Sequence, residues 1–364
     1  MKKLLYFYPL EVGKSENYRL AGFEKFSAFS KIFKARMAFI DRTGTITTPV
    51  RTKSVFPIPA LRPFSKTYEE ICNERAAELL HRSEISGLPL YVLWSGGIDS
   101  TLALTSLLKN SSPAQRANIT VLLNEESIME NPNFYRNHIQ RKLQRAPSSV
   151  FIHLLGGRGI LVSGEHNDQL FGAEAIGGIM KRFGADVVHK PYDRTILISF
   201  LREKIGDPHA AEFYGDIFER IRTAAPIDIV SNHDVMWWFS FSVKWQSVFL
   251  RTIAYTTPRN MKNINVDYIN RCYAPFYNTE DFQLWSMCNP DKKIKNGWNT
   301  YKWPAKDIIY DFTKDAAYRD HKTKRQSLRS LIARENRCNF IDESMSLLQD
   351  INLEDYYEPR NDFV

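Results

Sequence analysis

The residues best suited to chemistry stand together as Ser95-Gly96-Gly97-Ile98-Asp99-Ser100-Thr101, between the apolar run 90–94 and a segment of helical periodicity. Glycines at such a bend let backbone N–H groups approach an anion, and the helix that follows adds the positive end of its dipole. Ser95, Ser100 and Thr101 add hydroxyl donors, so the combination suits a phosphate. Asp99 is the odd member, because a carboxylate beside a phosphate repels it unless a cation intervenes. Mg²⁺ shared between Asp99 and phosphate oxygens would resolve the conflict. A plain helix cap is the alternative role for Asp99.

Such a loop needs a strand behind it and a helix ahead of it. From residue 88 the chain alternates in that way. "PLYVLW" reads as a strand and 99–109 as a helix. "NITVLL" reads as a strand and 132–144 as a helix. "SVFIHLL" and "GILVS" read as further buried strands. This rhythm predicts an α/β fold, a parallel twisted sheet with helices on both faces, and ligands in such sheets sit at the carboxyl ends of the strands. Residues 1–85 read as a small α+β unit. Strands are expected at "KKLLYFYPL" and "ARMAFIDRTGTITTPVRT", the second broken by a turn at Arg42-Thr43-Gly44, then an extended Pro57/Pro59/Pro63 linker and a helix capped by Ser65 or Thr67 and ending near His81. Beyond about 195 the pattern is mostly helical, with aromatics gathered at Trp237, Trp238, Phe239, Phe241 and Trp245. The expected organisation is a small unit over 1–85, the main domain over 86–340 and an acidic surface tail over 341–364.

The 364 residues carry a formal charge of +8, and 43% are apolar. The chain can therefore build a core, and its charge favours anionic partners such as nucleotides, pyrophosphate or nucleic acid, although a basic surface without specific use gives the same balance. None of the four cysteines forms a CxxC pair, which argues against a zinc knuckle and for a reducing compartment. The N-terminal apolar run is short for a signal peptide, and 235–250 is too short and too polar to span a bilayer. The expectation is a cytoplasmic protein with no membrane partner.

Ser95-Gly-Gly-Ile-Asp-Ser100 resembles the Ser-Gly-Gly-x-Asp-Ser pyrophosphate loop of the N-type ATP pyrophosphatases. Leu161-Val-Ser-Gly-Glu-His-Asn-Asp-Gln-Leu-Phe-Gly172 resembles the Ser-Gly-Glu/Asp-Gly-x-Asp-Glu-Leu-Phe-Gly-Gly motif of asparagine synthetase and β-lactam synthetase. Weaker echoes follow in the family's order: "VKWQSVFLR" (243–251), "APFYN" (274–278), "YKWPAKDIIYDF" (301–312) and "YRDHKTKRQS" (318–327). The resemblance implies an adenine nucleotide α-hydrolase-like fold that takes ATP and Mg²⁺ as cofactors. It implies nucleotide contacts from Leu93, Ser95, Gly96, Gly97, Asp99, Ser100, Thr101, Leu123, Ser163 and Gly164. Asp99 and Asp168 would bind the metal, and Glu165 would lie beside an acyl-adenylate. Lys322, or alternatively Lys324, would neutralise departing pyrophosphate, as a fixed cation in a dry site can. A solvated basic helix face, or a nucleic-acid patch, is the competing reading of those lysines.

The sequence also departs from the family. Position 2 is Lys and no cysteine precedes Cys72, so an N-terminal glutaminase is not expected. The nitrogen would come from ammonia, a substrate amine or a separate glutaminase. Gln169 replaces an acidic residue, and Asn278 replaces Asp. The segment 123–138 is expected either to line a substrate pocket through Glu125, Glu126, Asn131 and Tyr135 or to be a plain polar loop. The expected activity is an ATP-dependent, AMP-forming amide ligase acting on a small-molecule carboxylate. The alternatives are adenylation of a nucleobase in tRNA or DNA, and a non-catalytic nucleotide-binding relic.

Overall fold

A computed structural model describes residues 2–8, 25, 39–154, 157–172, 175–323 and 338–358. In chain order the elements that matter below begin with β1 (Leu4–Phe7), α1 (Tyr68–Ser86), β2 (Leu90–Leu93), α2 (Ile98–Asn110), β3 (Ile119–Leu123) and α3 (Glu125–Glu130). They continue with β4 (Gln144–Pro147), β5 (Ile160–Ser163), α4 (Asn167–Phe171), α5 (Arg194–Ile205), α6 (Pro208–Thr223), α7 (Asn232–Val243) and α8 (Trp245–Ala254). The last are β6 (Tyr273–Pro275), α9 (Trp303–Thr313), α10 (Ala316–His321), β7 (Phe340–Asp342) and β8 (Leu347–Leu348). They divide between two compact units. One holds the described residues of Met1–Leu61, Asp168–Ala254 and Arg337–Val364, and the other those of Arg62–Asn167 and Tyr255–Asn336.

The second unit is an α/β layer structure. Its five strands run in the order β4-β3-β2-β5-β6, and every neighbouring pair is parallel. Short apolar runs suit strands covered from both sides, and β5 is buried along its whole length. Helix α1 starts at a capping box, in which Thr67 and Glu70 satisfy each other's backbone N–H, and stops at Gly87 in the left-handed region. It buries Ile71, Cys72, Ala76, Leu79 and Leu80, and packs on α2. Helix α9 packs on both.

Three expectations differ here. Residues 132–144 are not one helix, because a short helix (Pro132–Phe134) passes into a wide turn (Tyr135–Ile139) and Gln144 already belongs to β4. "SVFIHLL" is not a strand, since Ser148–Val150 and Phe151–Leu154 are helical turns. Its apolar run serves a helix as well as a strand, an ambiguity inherent in short apolar runs. Finally, β6 completes the sheet from a segment read as helical.

In the first unit β1, β7 and β8 form an antiparallel sheet, with Phe7 opposite Phe340 and Ile341 opposite Leu347. Part of the segment read as a surface tail thus supplies strands, and Leu347, Leu353 and Tyr356 are buried. The expected second strand begins outside the described residues; bends at 42–44 match its expected turn, and beyond them only single bridges form, Val50 with Tyr357 and Thr52 with Leu4. At the turn the Asp41 carboxylate accepts from the backbone N–H of Thr43, Thr45 and Ile46. Gln246 ties this segment down, its Nε2 donating to Leu5 O and Lys53 O at 2.8 Å while its Oε1 accepts from Val55 N. Helix α7 is buried on every side. Trp237, Trp238, Phe241 and Trp245 pack together, Trp238 Nε1 donates to Ile221 O, and the Arg42 guanidinium lies over Phe241 and Trp245. This aromatic cluster is core and offers no face for stacking bases. Among the described residues no helix is long and apolar enough to cross a membrane.

Candidate functional site

The loop 94–101 leaves the carboxyl end of β2, the middle strand of the five. Trp94 continues the register with N–H to Leu122 O, and its indole Nε1 donates to Thr101 Oγ1 at 3.1 Å, which fixes the buried Thr101. Ser95 N–H donates to Ser100 Oγ at 3.0 Å, closing the loop on itself. Gly96 is required twice over. Its φ is +74°, and a Cβ there would lie 2.4 Å from Ser127 O and 2.8 Å from Glu130 Cβ. Gly97 is the N-cap of α2 and gives it no side-chain bond. Asp99 is therefore not the cap. Its carboxylate turns to Asn167 Nδ2 at 2.7 Å and Lys302 Nζ at 2.6 Å, both on Oδ1.

The second motif meets the first directly. A Cβ on Gly164 would fall 2.8 Å from Ser100 N and 3.0 Å from Asp99 C, so only glycine lets the end of β5 lie against the start of α2. Ser163 Oγ is buried and makes no hydrogen bond to any described residue. Glu165 is half-buried beside it. His166 is buried with φ of +77°, a region that disfavours residues with a Cβ. Asn167 is fully buried and accepts from the Tyr68 hydroxyl while it donates to Asp99. Asp168 sits half-buried in the first turn of α4, and its carbonyl accepts from Gly172 N–H.

The C-terminal lysines divide their tasks. Lys322 Nζ pairs with Glu130, whose Cβ and Cγ abut Gly96. The Tyr318 hydroxyl, one helical turn earlier, donates to Gly96 O at 3.4 Å, and burial pushes this phenol's pKa up. Lys306 is buried, and its Nζ donates to Asn299 O and, at 2.6 Å, to Lys322 O. Burial, and then the charge of Lys322, lower its pKa to about 8. Lys324 lies outside the described residues. Leu93 and Leu123 stand at the ends of their strands, and Leu123 borders a groove of about 490 Å³ with Ile128, Arg145, Pro147 and Ser148. Ser148 Oγ is buried there without a hydrogen bond to a described residue. Glu125 also lines this groove, Tyr135 accepts from Arg145, and Asn131 caps the turn at Phe134.

The structure thus brings together Ser95, Gly96, Gly97, Asp99, Ser100, Thr101 and Gly164, with Lys322 reaching the same loop through Glu130. Sequence reasoning missed Asn167 and Lys302. Asn167 was legible only as a neighbour of Asp168. Lys302 precedes a helix whose second residue is Pro304, but nothing local marks its 2.6 Å contact with a residue some 200 positions earlier.

Magnesium needs few protein ligands when phosphate oxygens supply the rest. Among the described residues no three acidic, His or Cys side chains cluster as a complete metal cage. Asp99 nevertheless fits one hard-oxygen position. Its Oδ1 is taken, whereas Oδ2 receives no hydrogen bond from a described residue and the side chain is 23% exposed. No protein-family model matches this chain, and no curated protein does.

Proposed function

We propose that this chain is an ATP-dependent, AMP- and pyrophosphate-forming amide ligase of the asparagine synthetase type, with the adenine nucleotide α-hydrolase-like fold. The observation that carries this reading is the close approach of Gly164 to Asp99 and Ser100, which joins the two glycine motifs at the carboxyl end of the central strand. His166 adds support. The motif it resembles has glycine at this position, and φ there is +77°.

In this reading the backbone of Gly96, Gly97 and the first turn of α2 cradles the β- and γ-phosphates, with Ser95 and Ser100 shaping the loop and Thr101 anchoring it. Leu93, Leu123, Ser163 and Gly164 surround the nucleoside, and Ser163 Oγ is a buried hydroxyl ready to bond it. Asp99 and, by the motif's resemblance, Asp168 would hold Mg²⁺, which when bound would offset phosphate charge. A substrate carboxylate oxygen attacks the α-phosphorus, the α–β bridging bond breaks and pyrophosphate leaves. Glu165 orders the resulting acyl-adenylate. Ammonia or an amine then attacks the acyl carbon, expelling AMP. Lys322 stabilises the charge on departing pyrophosphate, once released from Glu130, with Lys324 as the alternative.

The test is release of AMP and pyrophosphate from ATP and Mg²⁺ with aspartate, other amino acids or total tRNA, each with and without ammonium. AMP formed with an amino acid and nitrogen donor is expected, and Asp99→Ala or Asp168→Ala should abolish it. ADP and phosphate as products would refute the reading. AMP formed only with tRNA would replace the carboxylate by a nucleobase.

A further inference from the structure

Lys302 has no part in the reaction just described, yet it is buried and held directly against the loop's carboxylate. Its side chain is 1% exposed. Its backbone is left-handed, with φ of +60°, at the start of α9, and its N–H donates to Lys293 O at 3.0 Å. A buried ammonium is tolerated only when an opposite charge meets it, and Asp99 Oδ1 stands 2.6 Å away. Asp99 itself is partly open to solvent at the mouth of the loop, so the pair has a buried positive end and an accessible negative end.

A triphosphate without a metal carries about four negative charges. At an unpaired Asp99 it would meet a like charge within a few ångströms, a repulsion large enough to prevent binding. We infer that Lys302 is the standing counter-ion of Asp99, and that it lets the loop bind the nucleotide's phosphates before any divalent cation arrives. The inference rests on reading the loop as a nucleotide site. With Oδ1 held by Lys302 and Asn167, Oδ2 is the oxygen left for the cation, and the cation joins a nucleotide already seated. Lys302 is on this account a positioning residue, acting on phosphate through Asp99.

Isothermal titration with ATP tests this, run once in EDTA and once in excess Mg²⁺, on the wild type, Lys302→Met, Lys302→Arg and the double variant Asp99→Asn/Lys302→Met. The wild type should bind in both media. Lys302→Met should lose about tenfold or more in EDTA and less than about threefold in Mg²⁺, where the cation takes over the ammonium's task. Lys302→Arg should keep most of the EDTA affinity. The double variant, which has neither charge, should regain it, and this also shows that the protein still folds without the buried lysine. Equal losses in both media, or no recovery in the double variant, would overturn the inference while leaving the nucleotide site in place. A wild type that binds ATP in neither medium would overturn both.

Discussion

Substituting alanine at Gly164 tests the architecture most directly. The added Cβ would lie 2.8 Å from Ser100 N, 3.0 Å from Asp99 C and 3.1 Å from Ser100 Cα, where ordinary contact begins at 3.4 Å. All three atoms are backbone, so no side chain can rotate away. Either β5 or the first turn of α2 must move by about 0.6 Å. Overpacking of this kind costs about 1–3 kcal/mol. The displaced atoms belong to the loop proposed to hold phosphate, and misplacement on the order of 1 Å at a reacting site lowers rates about 100-fold. Gly164→Ala should therefore lower the urea midpoint modestly and AMP formation severely. The control is Gly178→Ala in the helix Ala175–Phe183, where a Cβ meets only the Phe200 ring at 3.3 Å. It should be neutral or slightly stabilising, because alanine suits a helix interior better than glycine. A Gly164→Ala protein with wild-type midpoint and wild-type rate would mean that the two motifs do not touch, and the site as built would fall.

Thr67→Ala removes one half of the α1 capping box and should cost about 1 kcal/mol in urea unfolding, with no change in AMP formation per folded molecule. Gln246→Met leaves the backbone groups of Leu5, Lys53 and Val55 unpaired and should cost about 3 kcal/mol, read by the same titration. Lys306 supplies a pH signature. Its folded pKa of about 8 lies below the unfolded value, so the unfolded chain holds the extra proton between about pH 8 and 10.4. Its contribution to stability should rise with pH across that window, and the rise should be absent from Lys306→Met. A wild-type contribution that falls there would contradict the burial.

Most of the sheet and the glycine turn between β2 and α2 were legible because their signals are local: apolar runs end at glycines, and caps such as Thr67 announce themselves. The extent of β4 and β6 was not, because three or four residues carry too little periodicity and both strands exist through pairing with distant partners. The aromatic stretch 237–245 stood out as a cluster, but only tertiary packing around Arg42 shows that it is core. Nothing in the segment 243–251 marks Gln246 as structural. Gln246 turns out to hold the chain near Leu5 and Lys53, a demand that originates some 190 to 240 residues away. Asn167 and Lys302 were missed for the same reason, since their importance lies in a shared contact with Asp99 and not in their neighbours.

The pairing of β1 with β7 sets a timetable for biosynthesis. Leu4 bonds to Arg51 and Lys53 on one side as soon as those residues exist, but on the other side β1 waits for Phe340–Asp342. At the usual pace of translation that delay is roughly 15–70 s. Throughout it the nascent chain displays an apolar strand with one unpaired edge, a segment where a holding chaperone would be expected to sit until β7 leaves the ribosome.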